Sequence, residues 1–348
     1  MNRKQRRAAE KMAKTKPKSG TPFSAADNVV SKAIAAAQAG ALAEAEVAVN
    51  EVLTRFPDHT EALHQKGMLL ARTNRIEEGI LLLQRATAQK PREALYWNNL
   101  AAAYLMIERS QEALEAARKA VELDPKYAMG WQNLAMAATD LSQHPLAAEA
   151  LERASVLMPN NADICTQLGI AHLELGDGAR AETAFTKAIT LTPGNAECLS
   201  NLGGLLVKQG RTSEALPHLT KAVEIDPDRF TAALHYGVAL SLAGDLAKGL
   251  RWLRRATSIQ PRSDSAWGAL ADAAIMAGEK VEALDAARRA AEFAPAEPGH
   301  QARLKKLEQS ETGAGLVELD FGGLLHAPEA KPAEHADVSH SLDKIFIG

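Results

Sequence analysis

The stretch WNNLAAAYL (Trp97–Leu105) returns, altered but in phase, as WQNLAMAAT from Trp131, CTQLGIAHL from Cys165 and LSNLGGLLV from Leu199. Each copy starts 34 residues after the one before. A fixed period of this length marks a repeat architecture, in which one supersecondary unit cannot bury its apolar face without neighbours. The prolines extend the series: Pro57, Pro91, Pro125, Pro159, Pro193, Pro227, Pro261 and Pro295 keep the same spacing without a break. With each Pro at position 32, the repeats are 26–59, 60–93, 94–127, 128–161, 162–195, 196–229, 230–263 and 264–297.

Small residues recur at fixed points within that register. Position 8 is Ala33, Gly67, Ala101, Ala135, Gly169, Gly203, Gly237 and Ala271, and position 20 is likewise Ala or Gly in every repeat. Position 27 is Val52 followed by seven alanines. Such residues let helix axes approach at the near end of the roughly 8–10 Å packing range. Large side chains at positions 4, 7 and 24, among them Trp97, Trp131, Leu83, Leu151, Phe185, Leu219 and Leu253, supply the filling. Gly40, Asn74, Gly176, Gly210, Gly244 and Gly278 at position 15 suit a left-handed residue closing the first helix, whereas Glu108 and Ser142 depart from that preference. The Pro at position 32 closes the second helix, because its ring has no place in a helix interior.

These residues resemble the tetratricopeptide repeat (TPR) family, with its W/L at 4, L at 7, G/A at 8, Y at 11, A at 20, F/Y at 24, A at 27 and P at 32. The match runs over residues 26–297 and departs at Lys32 and Lys66, which replace Leu at position 7, and at position 11, where only Tyr104 is aromatic. The resemblance, of bacterial type, implies an all-α TPR solenoid, a right-handed superhelix of eight helix-turn-helix repeats whose first helices line the concave face. PGHQARLKKLEQ from Pro298 reads as a capping helix over 298–310, with Leu304 and Leu307 on one side and Arg303, Lys305, Lys306 and Glu308 elsewhere.

Position 6 holds Ser31, Gln65, Asn99, Asn133, Gln167, Asn201, His235 and Ala269. On a 3.6-residue helix this position lies some 100° from the centre of the packed stripe formed by 4, 7, 8 and 11, on the concave side. A carboxamide both donates and accepts, so a row of them can pair with the main chain of an extended peptide whatever its side chains. An asparagine ladder at this position is a feature of the O-GlcNAc transferase repeat domain, and that likeness implies Gln65, Asn99, Asn133, Gln167 and Asn201, with His235 as a further rung, as peptide-binding residues. The other reading is that these are polar residues tolerated on a solvated face. Leu95, Leu105, Met129, Met136, Ile170, Leu173 and Val207 at positions 2, 9 and 12 flank the row and would set specificity. Positions 2, 5 and 6 hold no Lys or Arg, which excludes the carboxylate clamp of chaperone-binding TPR domains.

Composition agrees with an all-helical chain: 46% of residues are apolar but only 4% aromatic. The net charge of −3 is unevenly spread. Residues 1–20 carry eight basic side chains against Glu10, and residues 311–348 carry seven acids against Lys331 and Lys344. The arm, residues 1–25, has no aromatic interleaved with its charge and reads as a solubilising extension rather than a nucleic-acid or membrane-surface binder. The tail, residues 311–348, holds two apolar islands, GLVELDFGGLL and SLDKIFIG, either of which could dock in a TPR groove of its own or a neighbouring chain and so mediate self-association.

No P-loop, HExxH, GxSxG or dinucleotide fingerprint occurs, so the sequence predicts neither catalysis nor a cofactor. Cys165 and Cys198 lack metal-site spacing and read as packed residues, and His326, His335 and His340 are too widely spaced for a metal cage. With no apolar run of 18 and no export signal, the expectation is a cytoplasmic protein without a membrane span. The expected function is that of a scaffold or adaptor whose concave groove binds an extended segment of a partner protein. The alternative is a substrate-recruiting module for a separately encoded glycosyltransferase or sulfotransferase.

Overall fold

The structure, a computed structural model, describes residues 22–309. Residues 1–21 and 310–348, which include most of the basic arm and the two apolar islands, lie outside the described residues. Among those described there are seventeen helices and no strand. Two compact units follow one another, the first running through Leu141 and the second starting at Ser142, in the turn between the two helices of the fourth repeat.

The first unit comprises α1 (Pro22–Gln38), α2 (Leu42–Arg55), α3 (Thr60–Arg72), α4 (Ile76–Gln89), α5 (Ala94–Leu105), α6 (Ser110–Leu123) and α7 (Ala128–Asp140). The second comprises α8 (His144–Leu157), α9 (Ala162–Glu174), α10 (Gly178–Leu191), α11 (Ala196–Lys208), α12 (Thr212–Ile225), α13 (Phe230–Leu242), α14 (Leu246–Ile259), α15 (Asp264–Ala277), α16 (Lys280–Phe293) and the capping helix α17 (Pro298–Gln309). Helix α1 starts ahead of the repeat register, at Pro22.

The turns repeat as faithfully as the helices. All eight position-15 residues adopt left-handed φ, from 56° at Ser142 to 89° at Gly244. Glu108 (φ 57°) and Ser142 therefore depart from the pattern in side chain but keep its backbone; at Glu108 the packing of α5 against α6 fixes the turn whatever residue occupies it. At the other loop, position 34 caps the next first helix: Asn161, Asn195 and Ser263 accept from the backbone N–H groups of Ile164, Cys198 and Ala266. The Pro at position 32 contributes its carbonyl as well. The indole N–H groups of Trp97, Trp131 and Trp267 donate to the carbonyls of Pro91, Pro125 and Pro261 at 2.8–2.9 Å.

Within a repeat, positions 8 and 24 are complementary in size. An added Cβ on Gly67, Gly203 or Gly237 would fall 2.7, 2.4 or 2.7 Å from Leu83, Leu219 or Leu253, and one on Gly169 would fall 2.5 Å from Phe185 Cε1. Glycine occurs where the position-24 side chain lies across the first helix. The alanines of position 27 are all fully buried.

At the end of the second unit, α17 does not present Arg303 to solvent as its sequence suggested. Arg303 is only 8% exposed and forms a bidentate ion pair with the fully buried Asp272 of α15, at 2.6 and 2.9 Å. His300 accepts from Arg303 Nη1 at 3.0 Å on Nδ1, which places its proton on Nε2, 3.0 Å from Asp264. The cap is thus held by charge-assisted bonds as well as by the buried Leu307.

Candidate binding surface on the first helices

The first helices of each unit carry the position-6 side chains in two distinct settings. Asn99, Asn133 and His235 are buried, at 3%, 1% and 4% exposure, and each reaches back to position 5 of the preceding repeat, 35 residues earlier. Asn99 Nδ2 donates to His64 Nε2 at 2.9 Å, Asn133 Nδ2 donates to Asn98 Oδ1 at 2.9 Å, and His235 Nδ1 donates to the Ser200 carbonyl at 2.9 Å. These groups tie one first helix to the next. The fit at His235 requires Gly204, where an added Cβ would fall 2.5 Å from the imidazole.

In the first unit the ties join into one network. Asn98 Nδ2 also meets Asn99 Oδ1 at 3.2 Å and the Tyr127 hydroxyl at 3.3 Å, so α3, α5 and α7 share a continuous chain of bonds. Because Asn99 donates to His64 Nε2, the ring proton of His64 lies on Nδ1, on the side of Glu61 Oε1 at 3.8 Å. The Tyr96 hydroxyl donates to Glu61 Oε2 at 2.7 Å, and its ring stacks on His64 with centroids 4.2 Å apart. Hydrogen bonding by His64, then Tyr96 and Gln65, holds the Glu61 carboxyl down at about 2 against the opposing effect of burial. Burial and the neighbouring Glu61 push the Tyr96 phenol upward. The network is a set of fixed dipoles around one carboxylate, and its members are satisfied by one another.

The remaining position-6 carboxamides are accessible. Gln65 is half-buried and donates within its own helix to Glu61 Oε1 at 3.1 Å. Gln167 is exposed and Asn201 half-buried, and neither carboxamide has a hydrogen-bond partner among the described residues. The expected row of open amides is therefore reduced to Gln65, Gln167 and Asn201. Asn99, Asn133 and His235 are drawn inward because position 5 of the preceding helix offers each a partner within reach. The expected flanking residues Leu95, Leu105, Met129, Met136, Ile170 and Leu173 are half-buried, while Val207 is 5% exposed.

Other candidate chemistry is structural in form. Cys165 and Cys198 are buried free thiols, and burial pushes Cys198 up to about 11, so its thiolate is disfavoured. Buried His172 has its pKa lowered by desolvation and by Arg180, and its Nδ1 has no hydrogen-bond partner among the described residues. Among the described residues no group of three His, Cys, Asp or Glu is placed to hold a metal ion, and no helix is long and apolar enough to cross a membrane.

Sequence reasoning found position 6 but missed its partners His64, Asn98 and Ser200, and also the Asp272–Arg303 pair. A signal was present in the succession of polar residues at 5 and 6, as in Asn98-Asn99, on a face where one polar residue would satisfy solvent.

Two profiles described as tetratricopeptide repeat match the chain, one over residues 64–128 and 133–197 and the other over 172–229 and 206–267. No curated protein matches it in sequence. Among solved structures, a chain of the APC/C hetero-tetramer Cut9-Hcn1 is similar with a TM-score of 0.58 at 16% identity, over 87% of this chain and 59% of that one. The Pseudomonas aeruginosa protein pilF gives 0.52 at 17% identity, over 61% and 95%. A tetratricopeptide repeat protein from Parabacteroides merdae gives 0.51 at 13% identity, over 70% and 97%. At these identities the likeness concerns the fold. With the 34-residue register, the paired helices and the two matching profiles in agreement, the chain belongs to the tetratricopeptide repeat family, an α-solenoid scaffold fold for protein–protein interaction.

Proposed function

We propose that the first-helix surface receives an extended segment of a partner protein, with Gln167 and Asn201 pairing with its backbone. The observation that carries this reading is that these two carboxamides, one repeat apart at the same helical position, are accessible and without partners among the described residues. A polyproline II or strand-like ligand advances roughly 3.1–3.4 Å per residue, so one rung per ~10 Å helix step meets every third residue. The half-buried Ile170 and Leu173 beside Gln167 add apolar contact. Gln65 offers the same group in the first unit, shared with Glu61. Asn99, Asn133 and His235 act from beneath, by holding the first helices at the spacing a ligand would read.

Each rung contributes on the order of 1 kcal/mol net, so Gln167→Ala with Asn201→Ala should weaken peptide hits about 10- to 30-fold. Both sites are at the surface, so stability should stay within about 0.5 kcal/mol. A peptide array probed with the intact chain and this double variant tests the proposal. If every hit binds both proteins equally, recognition lies elsewhere.

A further inference from the structure

The C-terminal ends of α13 and α15, two neighbouring first helices of the second unit, form a short apolar strip that the tie network does not use. Position 13 lies seven residues, two helical turns, beyond position 6, and so shares its face. There Leu242 of α13 is 42% exposed and Met276 of α15 is 36% exposed. Beside them Ile275 of α15 is half-buried against the core, whereas position 13 holds the exposed Lys208 on α11 and Glu174 on α9. The seventh and eighth repeats thus each contribute an exposed apolar side chain at the same level, with Lys208 on the preceding first helix.

We propose that residues 315–325 of this same chain, GLVELDFGGLL, dock on that strip and compete there with outside peptides. The proposal deepens the reading of the first-helix surface as a peptide site and rests on it. Three observations select this occupant. The apolar residues Val317, Leu319 and Phe321 alternate with Glu318 and Asp320, so an extended backbone puts the three on one side and the two acids on the other. Eleven residues extend over roughly 36 Å, enough for the ~10 Å step from α15 to α13 and the next to Lys208 on α11, whose charge complements Glu318 and Asp320. The tether is also short: α17 is fixed to α15 through Arg303 and Asp272 and ends at Gln309, and five residues separate it from Gly315, a length of at most about 17 Å.

A segment on so short a linker has an effective concentration of about 1 mM at its own site. If the separate peptide binds with a Kd of about 100 μM, docking in cis weakens any competitor about tenfold. The experiment uses the full chain, the full chain carrying Leu319→Asp and Phe321→Asp, and a fluorescein-labelled peptide of residues 312–328 followed by anisotropy. The variant should bind the probe about tenfold more tightly than the unaltered chain. Adding Leu242→Asp and Met276→Asp, both at exposed positions, should remove that binding with helicity unchanged by circular dichroism. Equal affinity for the variant and the unaltered chain, or absence of binding to the variant, overturns the proposal. Light scattering supplies a further check, since a dimer that dissociates on the Leu319/Phe321 substitutions would place the segment on a second copy and overturn docking in cis. Array hits that still depend on Gln167 and Asn201 when the tail probe fails would leave the peptide-site reading standing and remove only the occupant.

Discussion

Replacing Asn133 by Ala distinguishes a tie from a ligand rung, because the two roles predict opposite readouts. Asn133 is 1% exposed, and its Nδ2 donates to Asn98 Oδ1 at 2.9 Å and to the Asn98 carbonyl at 3.4 Å. Truncation removes a bond of about 1 kcal/mol net and strands Asn98 Oδ1, also in a buried residue, for about 1–3 kcal/mol more. A water entering the small void would recover part of this, so a loss of about 2 kcal/mol is expected. Gln167→Ala, at the same position of the next repeat but exposed, should change stability by less than about 0.5 kcal/mol. Urea unfolding followed by circular dichroism gives the total. Because repeat arrays can open in parts, hydrogen exchange at the amides of α5 and α7 should localise the loss. If Asn133→Ala leaves both measures as Gln167→Ala does while weakening peptide binding, the amide serves a ligand and the tie assignment is wrong.

Three further outcomes are expected. Gly169→Ala gains about 1 kcal/mol of helix propensity but puts a Cβ 2.5 Å from Phe185, where overpacking costs about 1–3 kcal/mol; a melting-temperature cycle with Phe185→Leu should show the second change rescuing the first. The Glu61 carboxyl is held below its ordinary value of 4.5, so its contribution is complete above about pH 4.5 and is lost as pH falls toward 2. With 34% of that side chain exposed, screening limits the effect to roughly 1 kcal/mol, and Glu61→Gln should flatten the acid limb of a stability–pH curve in this window. Arg303→Met strands the Asp272 carboxylate and should cost about 3–5 kcal/mol, seen as fast exchange or proteolysis of α17, whereas pairing it with Asp272→Leu should recover most of the loss.

The periodic part of the fold was legible because small residues and prolines act locally. An Ala at position 27 or a Pro at position 32 restricts its own turn of chain, so a one-dimensional reading suffices. Position 15 shows where that reading stops: Glu108 carries no left-handed preference of its own, and its conformation is imposed by packing. The site was less legible for a related reason. Amphipathic periodicity identifies the face on which Asn99 stands, but whether an amide points to solvent or inward depends on what the adjacent helix presents 35 residues earlier. His64 and Asn98 are partners of that kind, whereas Gln167 extends into solvent. Arg303 was placed outside by hydrophobicity alone, and its burial follows from the oppositely charged Asp272 facing it.

The 35-residue ties also give the array a memory of order. Backbone hairpins built on an identical 34-residue plan could stack in any succession, but His64 with Asn99, Asn98 with Asn133 and the Ser200 carbonyl with His235 above Gly204 are private matches between particular neighbours. Transposing the third repeat with the sixth would preserve every helix and every hairpin, yet would set mismatched polar groups against one another at the joints. Gain or loss of modules during divergence is therefore easier at junctions without such a match than between these bonded pairs.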